Sequence, residues 1–502
     1  MVSEIMSGMV LGVEGELIKV QMDISPGLPV FNMIGYLSNE VKEAKERVRT
    51  ALKNCGYVIP PRRIAVNLAP ADIRKFGTFF DLAIATAFLI SMGIGDFPDL
   101  SDTIFLGELS LDGSLCPLPG VLPILMRARE MGYRRCLVPA DNGEEASLVE
   151  GMEVWGLDHL VQVEEFLEGV IPERTFCLPP PGDTVNPGPD FAEIKGQKDG
   201  RRALEIAAAG FHNVFLTGPP GMGKSLLASG MPGIMPDMTM EEKIETTMIY
   251  SAKGLLKDGF SLIRNRPFRS PSHSVTQAGL LGGGLIPKPG EISLAHHGVL
   301  FLDELPEYPR NLIEMLRLPL ENHSINLARQ ERSLTFPADF IMISAANPCP
   351  CGFYPDRDKC NCTDRQIQRY QSRVSGPIMD RMDLFVHCEE VGYDLLVDSG
   401  KAESSAAIRK RVEEALERQK ARFGKNTGYY NGRMSPSQIQ KYCRLDSQGK
   451  SMMKKVYNTL RLTGRAYYKV LKVARTIADL DGSESIREDH LVEAVHYRNV
   501  KV

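Results

Sequence analysis

Ile18, Val20, Met22 and Ile24 are interleaved with Lys19, Gln21 and Asp23. A period of two places the two sets on opposite faces of a pleated strand, so this stretch reads as a half-buried strand. Val41, Ala44, Val48, Ala51 and Leu52 recur instead at helical spacing, with Ser38 placed to cap the helix and Gly56 to stop it. Ile64 to Leu68 is a further strand, Leu82 to Ile90 an apolar helix, and Leu122 to Glu130 the start of another. Residues 1–170 therefore read as one α/β domain.

The pattern breaks at 171–189, IPERTFCLPPPGDTVNPGP, which holds six prolines and two glycines. That composition makes a stiff, extended linker. Beyond it, Arg201 to Ala209 reads as a helix leading into Val214-Phe215-Leu216. Two more apolar runs follow, Val299 to Leu302 and Phe340 to Ile343. Continuous apolar runs suit central strands covered on both faces, so residues 190–390 read as a second α/β unit. Residues 391–502 read as helical. Ile408 to Phe423 is a helix of mixed charge, Ser435-Pro436 opens another, and Ser485 with Glu488 three residues on forms a capping box for the last.

The chain has 502 residues, enough for about three domains, and a net charge of −4. A uniformly basic nucleic-acid coat is excluded, so any such contact must come from a local surface. The longest apolar stretch, Phe79 to Gly95, includes Asp81 and is short for a membrane span. The N-terminal segment has Glu4 and no basic region, so no signal peptide is expected. Ten cysteines, four of them within Cys349–Cys362, suit a reducing cytoplasm better than a disulfide framework.

The chemistry starts where the Val214 strand ends. Gly218-Pro219-Pro220-Gly221-Met222-Gly223-Lys224-Ser225 matches G-x-x-x-x-G-K-[ST] at every fixed position. Glycines let backbone N–H groups wrap a phosphate chain. Lys224 brings an ammonium to the outer phosphates, and Ser225 offers a hard oxygen to Mg²⁺. The strand at Val299 ends in Asp303 and Glu304. Acids there emerge at the edge where α/β sheets bind ligands. Asp303 suits Mg²⁺ held through water, and Glu304 suits orienting and deprotonating the attacking water.

With these motifs in this order, residues 190–390 resemble the AAA+ ATPases. The resemblance implies that Ile194 contacts adenine and that Asn347, ending the next strand, senses the γ-phosphate. It also implies that an arginine in the Arg373–Leu384 segment reaches a neighbouring subunit's nucleotide. Arg381 is the first choice and Arg373 the second; the alternative is a surface arginine paired to Asp380 or Asp383. In the helical region Arg465 matches the lid arginine of such proteins, with Arg475 as an alternative.

Ahead of the linker, Arg74 to Ala85 and Gly107 to Gly113 resemble the Lon protease domain. Its catalytic serine falls at or next to Phe79 and its lysine at Leu122, and neither residue can act as nucleophile or base. Thr78 is the nearest hydroxyl in sequence. A structural or partner-binding domain is expected in place of a peptidase.

Two insertions narrow the family. One runs from Arg266 to His297. The other, Glu321 to Phe336, reads as a hairpin with Arg329 and Arg332 near its tip. The whole chain resembles the YifB/ComM family of magnesium-chelatase-like AAA+ proteins. That implies a cytoplasmic hexameric ring using ATP and Mg²⁺, with both insertions facing the pore. It also implies a helicase that promotes DNA branch migration during transformation, acting on single-stranded or branched DNA, with Arg329 and Arg332 as phosphate contacts. No membrane or porphyrin partner is expected. The rival readings are a chelatase motor subunit, a protein remodeller and a scaffold working through the Lon-like domain.

Cys349, Cys351, Cys360 and Cys362 form two Cys-x-Cys pairs separated by eight residues. They can supply four thiolates to a tetrahedral Zn²⁺, though the i,i+2 spacing is tighter than the usual zinc pairs. Reduced thiols in a surface loop are the alternative.

Overall fold

The computed structural model describes residues 2–95, 99–170, 188–256, 262–328, 333–390, 402–424 and 430–498, together with 176 and 392. The linker proposed at 171–189 lies almost wholly outside them. Among the described residues no helix is long and apolar enough to cross a membrane.

The alternation at Ile18 builds the strand Glu14–Ser25, paired antiparallel with Ser3–Leu11 on one side and Arg63–Ala69 on the other. Thr103–Phe105, Arg135–Pro139 and Glu153–Leu157 extend the sheet in parallel beyond Ser3–Leu11, and Val30–Ile34 closes the far edge. Helix Asn39–Asn54 buries Val41, Ala44, Val48, Ala51 and Leu52, and Ser38 Oγ accepts the Val41 N–H. Helix Asp81–Ser91 is buried from Asp81 to Leu89. Truncating one of its large side chains to alanine would cost roughly 2–5 kcal/mol. Asp81 inside this helix is held by Arg47 at 2.7 Å. Burial pushes its carboxyl up to about 6 against the pull of that guanidinium.

The second sheet is entirely parallel. Its order is Phe268–Arg269, Val299–Leu302, Ile341–Ala346, Val214–Thr217, Leu384–His387. The three apolar runs are thus adjacent central strands, buried along their length. Ile341–Ala346 and Leu384–His387, both later in the chain, flank Val214–Thr217 on its two sides, and its C-terminal end is where the connections diverge and ligands fit.

The last fifth is helical: Ser405–Phe423, Pro436–Tyr442, Ser447–Thr459, Gly464–Leu480 and Glu488–His496. It is stitched to the second sheet's unit. Ser405 Oγ accepts the Phe191 N–H at 2.9 Å while Asp190 accepts the Ser405 N–H at 3.0 Å. The capping box expected at Ser485 and Glu488 is not formed. Ile486 is buried, so the chain enters extended, and the helix starts at Glu488. His490 Nδ1 accepts the Arg487 N–H in place of the expected pair.

The first sheet's unit docks on the second. Glu145, buried in the first, accepts the Leu122 N–H and the Ser251 hydroxyl from helix Met240–Lys253. Gly12, in the turn between the first two strands, sits against Phe336 and Leu334 of the hairpin Ser324–Ala328/Ser333–Pro337.

Candidate functional site

The loop after Val214–Thr217 turns at Gly218. A Cβ there would lie 2.5 Å from the Cys388 carbonyl oxygen, so only glycine lets the loop pass the neighbouring strand's end. Gly223 has φ +77 and precedes the helix Lys224–Ile234, whose N-terminus carries a partial positive charge. Lys224 is buried at the start of that helix. Its Nζ donates to Gly218 O at 2.6 Å, Pro219 O at 2.8 Å and Asn347 Oδ1 at 3.1 Å. Burial lowers the ammonium below the usual lysine range, while Cys388, Asp303 and Glu304 pull it back up.

Ser225 Oγ donates to Asp303 Oδ2 at 2.7 Å. Two hard oxygens, one from the helix after the phosphate loop and one from the end of strand Val299–Leu302, thus converge beside the lysine, a donor set that fits Mg²⁺. Glu304 is exposed and sits at φ +49, the left-handed region, with its N–H donating to Asp303 Oδ1. That conformation is costly for a residue with a Cβ. It turns the chain sharply at the strand's end, into the short helix Leu305–Glu307.

Sequence reasoning missed two residues here. Gln197, also at positive φ, donates to Met222 O at 3.1 Å and Glu389 O at 2.7 Å, linking the phosphate loop to the chain after the last strand. Cys388 presses its carbonyl on Gly218, and burial pushes its thiol up to about 11. Neither belongs to a motif. The only signals are Gly196 before Gln197 and the apolar strand before Cys388.

Ile194 follows the short helix Phe191–Glu193, with its side chain buried in the core. Arg381 is also buried. It donates to Arg317 O and Pro377 O and pairs with Glu321 at 2.6 Å, not with Asp380 or Asp383. Arg373 is half exposed and pairs with Glu307 at 2.9 Å, just beyond the Glu304 turn. Arg465 is exposed in the first turn of Gly464–Leu480. Arg475 is held inside the helical region: it pairs with Asp479 and donates to the Ser483 and Glu484 carbonyls. The alternative that made it a nucleotide sensor is therefore set aside. Arg329 and Arg332 lie outside the described residues; the flanking strands, Ser324–Ala328 and Ser333–Pro337, form a hairpin.

Cys349, Cys351, Cys360 and Cys362 follow Asn347. Their sulfurs all lie within 4.8 Å of one another, so they are drawn together and not scattered along a surface loop.

In the first unit, Phe79 and Leu122 are buried. Thr78 Oγ1 donates to Glu108 Oε2 at 2.5 Å, and Ser7 Oγ, distant in sequence, donates to Phe79 O at 3.5 Å. Thr78 is thus the nearest hydroxyl only along the chain, since packing of helix Asp81–Ser91 on strand Ser3–Leu11 brings Ser7 alongside.

Comparison with known proteins extends this picture. The model for magnesium chelatase, subunit ChlI matches residues 190–396, that for its C-terminal part residues 402–498, and that for subunit ChlI of Mg-chelatase residues 20–142. The uncharacterized protein YifB of Escherichia coli (strain K12) is 42% identical over 496 residues, 98% of this chain and 96% of YifB. Competence protein ComM of Haemophilus influenzae is 40% identical over 495 residues, 97% of this chain and 96% of ComM. Lon protease 2 of Bacillus subtilis is 27% identical over 239 residues, 41% of each chain. Full-length likeness of this degree, joined to the parallel sheet and its phosphate loop, means that the chain belongs to the YifB/ComM family of magnesium-chelatase-like AAA+ proteins.

Proposed function

We propose that this chain is a cytoplasmic ATPase that drives DNA branch migration as a helicase during transformation or recombination, working as a homo-hexameric ring. The observation that carries the hydrolytic part is the convergence of Lys224, Ser225, Asp303 and Asn347 at one sheet edge. The competence role rests on ComM, to which the chain is similar along nearly its whole length.

In this reading Gly218 to Ser225 wrap the triphosphate with backbone N–H groups, and Ile194 borders the adenine. Ser225 and Asp303 would hold Mg²⁺, which supplies charge neutralisation between the outer phosphates. Lys224 exchanges its contacts to Gly218 and Pro219 for phosphate oxygens. Glu304 accepts a proton from the attacking water and Asn347 orients the γ-phosphate. Arg381, released from Glu321, completes a neighbour's site, and Arg465 reports the nucleotide to the lid. Arg329 and Arg332 grip DNA phosphates without regard to sequence. Zn²⁺ in this reading is structural, held by Cys349, Cys351, Cys360 and Cys362. The Lon-like domain, with Phe79 and Leu122 at the dyad positions, positions or recruits and does not cleave.

A steady-state ATPase assay with and without branched DNA tests the reading. Turnover should rise with DNA, and the DNA-dependent increment should vanish in Arg329→Ala/Arg332→Ala. Stimulation by a porphyrin or a protein partner alone would replace it with a chelatase or remodelling role.

A further inference from the structure

Resting on the nucleotide site just described, we infer that the four-cysteine loop holds one Zn²⁺ and, through it, braces the phosphate-binding loop. The geometry has two halves. The first is the ligand set. Cys349 Sγ lies 3.3 Å from Cys351 Sγ and 3.7 Å from Cys360 Sγ, and Cys351 and Cys360 are 3.5 Å apart. Four thiolates around zinc at about 2.3 Å stand about 3.8 Å from each other, so these three sulfurs are spaced close to three corners of that tetrahedron, with Cys362 Sγ within 4.8 Å of each. All four cysteines are free thiols. Cys349 also accepts the Tyr354 N–H at 3.5 Å, the kind of outer hydrogen bond that orients a metal-bound sulfur. The loop's own apolar cluster is Cys349, Cys360 and Ile367 with a few half-buried neighbours. So small a core leaves a metal as the main source of order.

The second half is what the knot touches. Gly352 turns the chain between the second and third cysteines at φ +88, and its N–H donates to Cys349 O. A Cβ at Gly352 would lie 2.6 Å from Cδ of Pro220, inside the phosphate loop. Two residues before Cys349, Asn347 accepts a hydrogen bond from Lys224, and Gln371 fixes the intervening Pro348 carbonyl at 3.1 Å. The knot therefore bears on the phosphate loop at both Pro220 and Lys224. Without the ion the thiols are free to separate. Gly352 then withdraws from Pro220 and Asn347 from Lys224, and the loop loses the shape that fits phosphates.

The experiment measures metal content and affinity for a fluorescent ADP analogue on the same full-length protein. Purified under reducing, oxygen-free conditions, it should carry about one Zn²⁺ per chain, and Co²⁺ loaded in its place should show the visible absorption of a tetrahedral tetrathiolate. Displacing the zinc with a thiol-directed mercurial should weaken ADP-analogue binding roughly tenfold or more, because small misplacements of positioning groups have effects of that size. Thiol reductant and Zn²⁺ should restore it. Gly352→Val should keep its zinc and still bind the analogue weakly. Reversible release from the native protein keeps the test valid should cysteine variants fail to fold. Protein that takes up neither Zn²⁺ nor Co²⁺ overturns the metal site. Zinc released with affinity unchanged overturns the brace. Zinc-loaded protein that binds no nucleotide overturns the ATPase reading itself, a result distinct from both.

Discussion

Ser225 Oγ and Asp303 Oδ2 are hydrogen-bonded across 2.7 Å, joining the helix that follows the phosphate loop to the end of a strand two places away in the sheet. The bond brings two oxygens of the kind Mg²⁺ prefers to one point. Asp303→Asn keeps the shape and removes the charge. It should raise the Mg²⁺ concentration for half-maximal hydrolysis by roughly tenfold to a hundredfold. A Mg²⁺ titration of turnover checks this; an unshifted midpoint would remove Asp303 from the metal site.

Arg381 is buried and held by Glu321 and two carbonyls of its own chain. As a residue acting on the neighbouring subunit it must exchange Glu321 for phosphate. Arg381→Ala should then lower kcat on the order of 10³-fold with ADP-analogue binding retained, the size expected for a transferred-charge arginine. A purely local role predicts a different outcome, a lower melting temperature with unchanged kcat for the folded protein. Arg373→Ala, losing the exposed Glu307 pair and a hydrogen bond to Pro306 O, should change kcat far less.

The helical region meets the second sheet at a buried charged cluster. Asp383 pairs with Lys469 at 2.6 Å, and His212, wholly buried, donates to or accepts from Thr476 Oγ1 at 2.9 Å. Burial pushes the His212 imidazole below its usual range, against the pull of Asp383. Asp383 is itself held well below the carboxylate range: burial works to raise it, and Lys469 and His212 outweigh that. Both folded-state values are depressed, so both contributions are present above the unfolded values and fade as pH falls. The His212 contribution goes first, from about pH 6.5 downward, and that of Asp383 from about pH 4 downward. The melting temperature should therefore fall between pH 7.5 and 5.5, and His212→Gln should flatten that slope. A melting temperature that rises on acidification would reverse the assignment.

Much of the fold was legible because burial leaves a periodic trace. The alternation at Ile18 to Ile24 and the helical spacing at Val41 to Leu52 appear as drawn. The phosphate loop was legible for a different reason: backbone wrapping demands glycine at set positions. Gln197 was not legible, since a glutamine that donates to two carbonyls has no required spacing. Nor was the Glu145–Ser251 contact between the two units, which joins residues 106 apart through chance proximity of folded surfaces. Ser485 misled because a local capping pattern competes with burial of Ile486, and burial won.

The central claim is that Glu304, turned out at φ +49 beside Asp303, activates the water that cleaves ATP. Glu304→Gln preserves size and removes the base. Side-by-side measurement of ATP binding and steady-state turnover is the direct test. The account predicts binding retained and turnover lowered by roughly 10²–10⁴-fold, the usual worth of a general base. Turnover at the native rate in Glu304→Gln would contradict it.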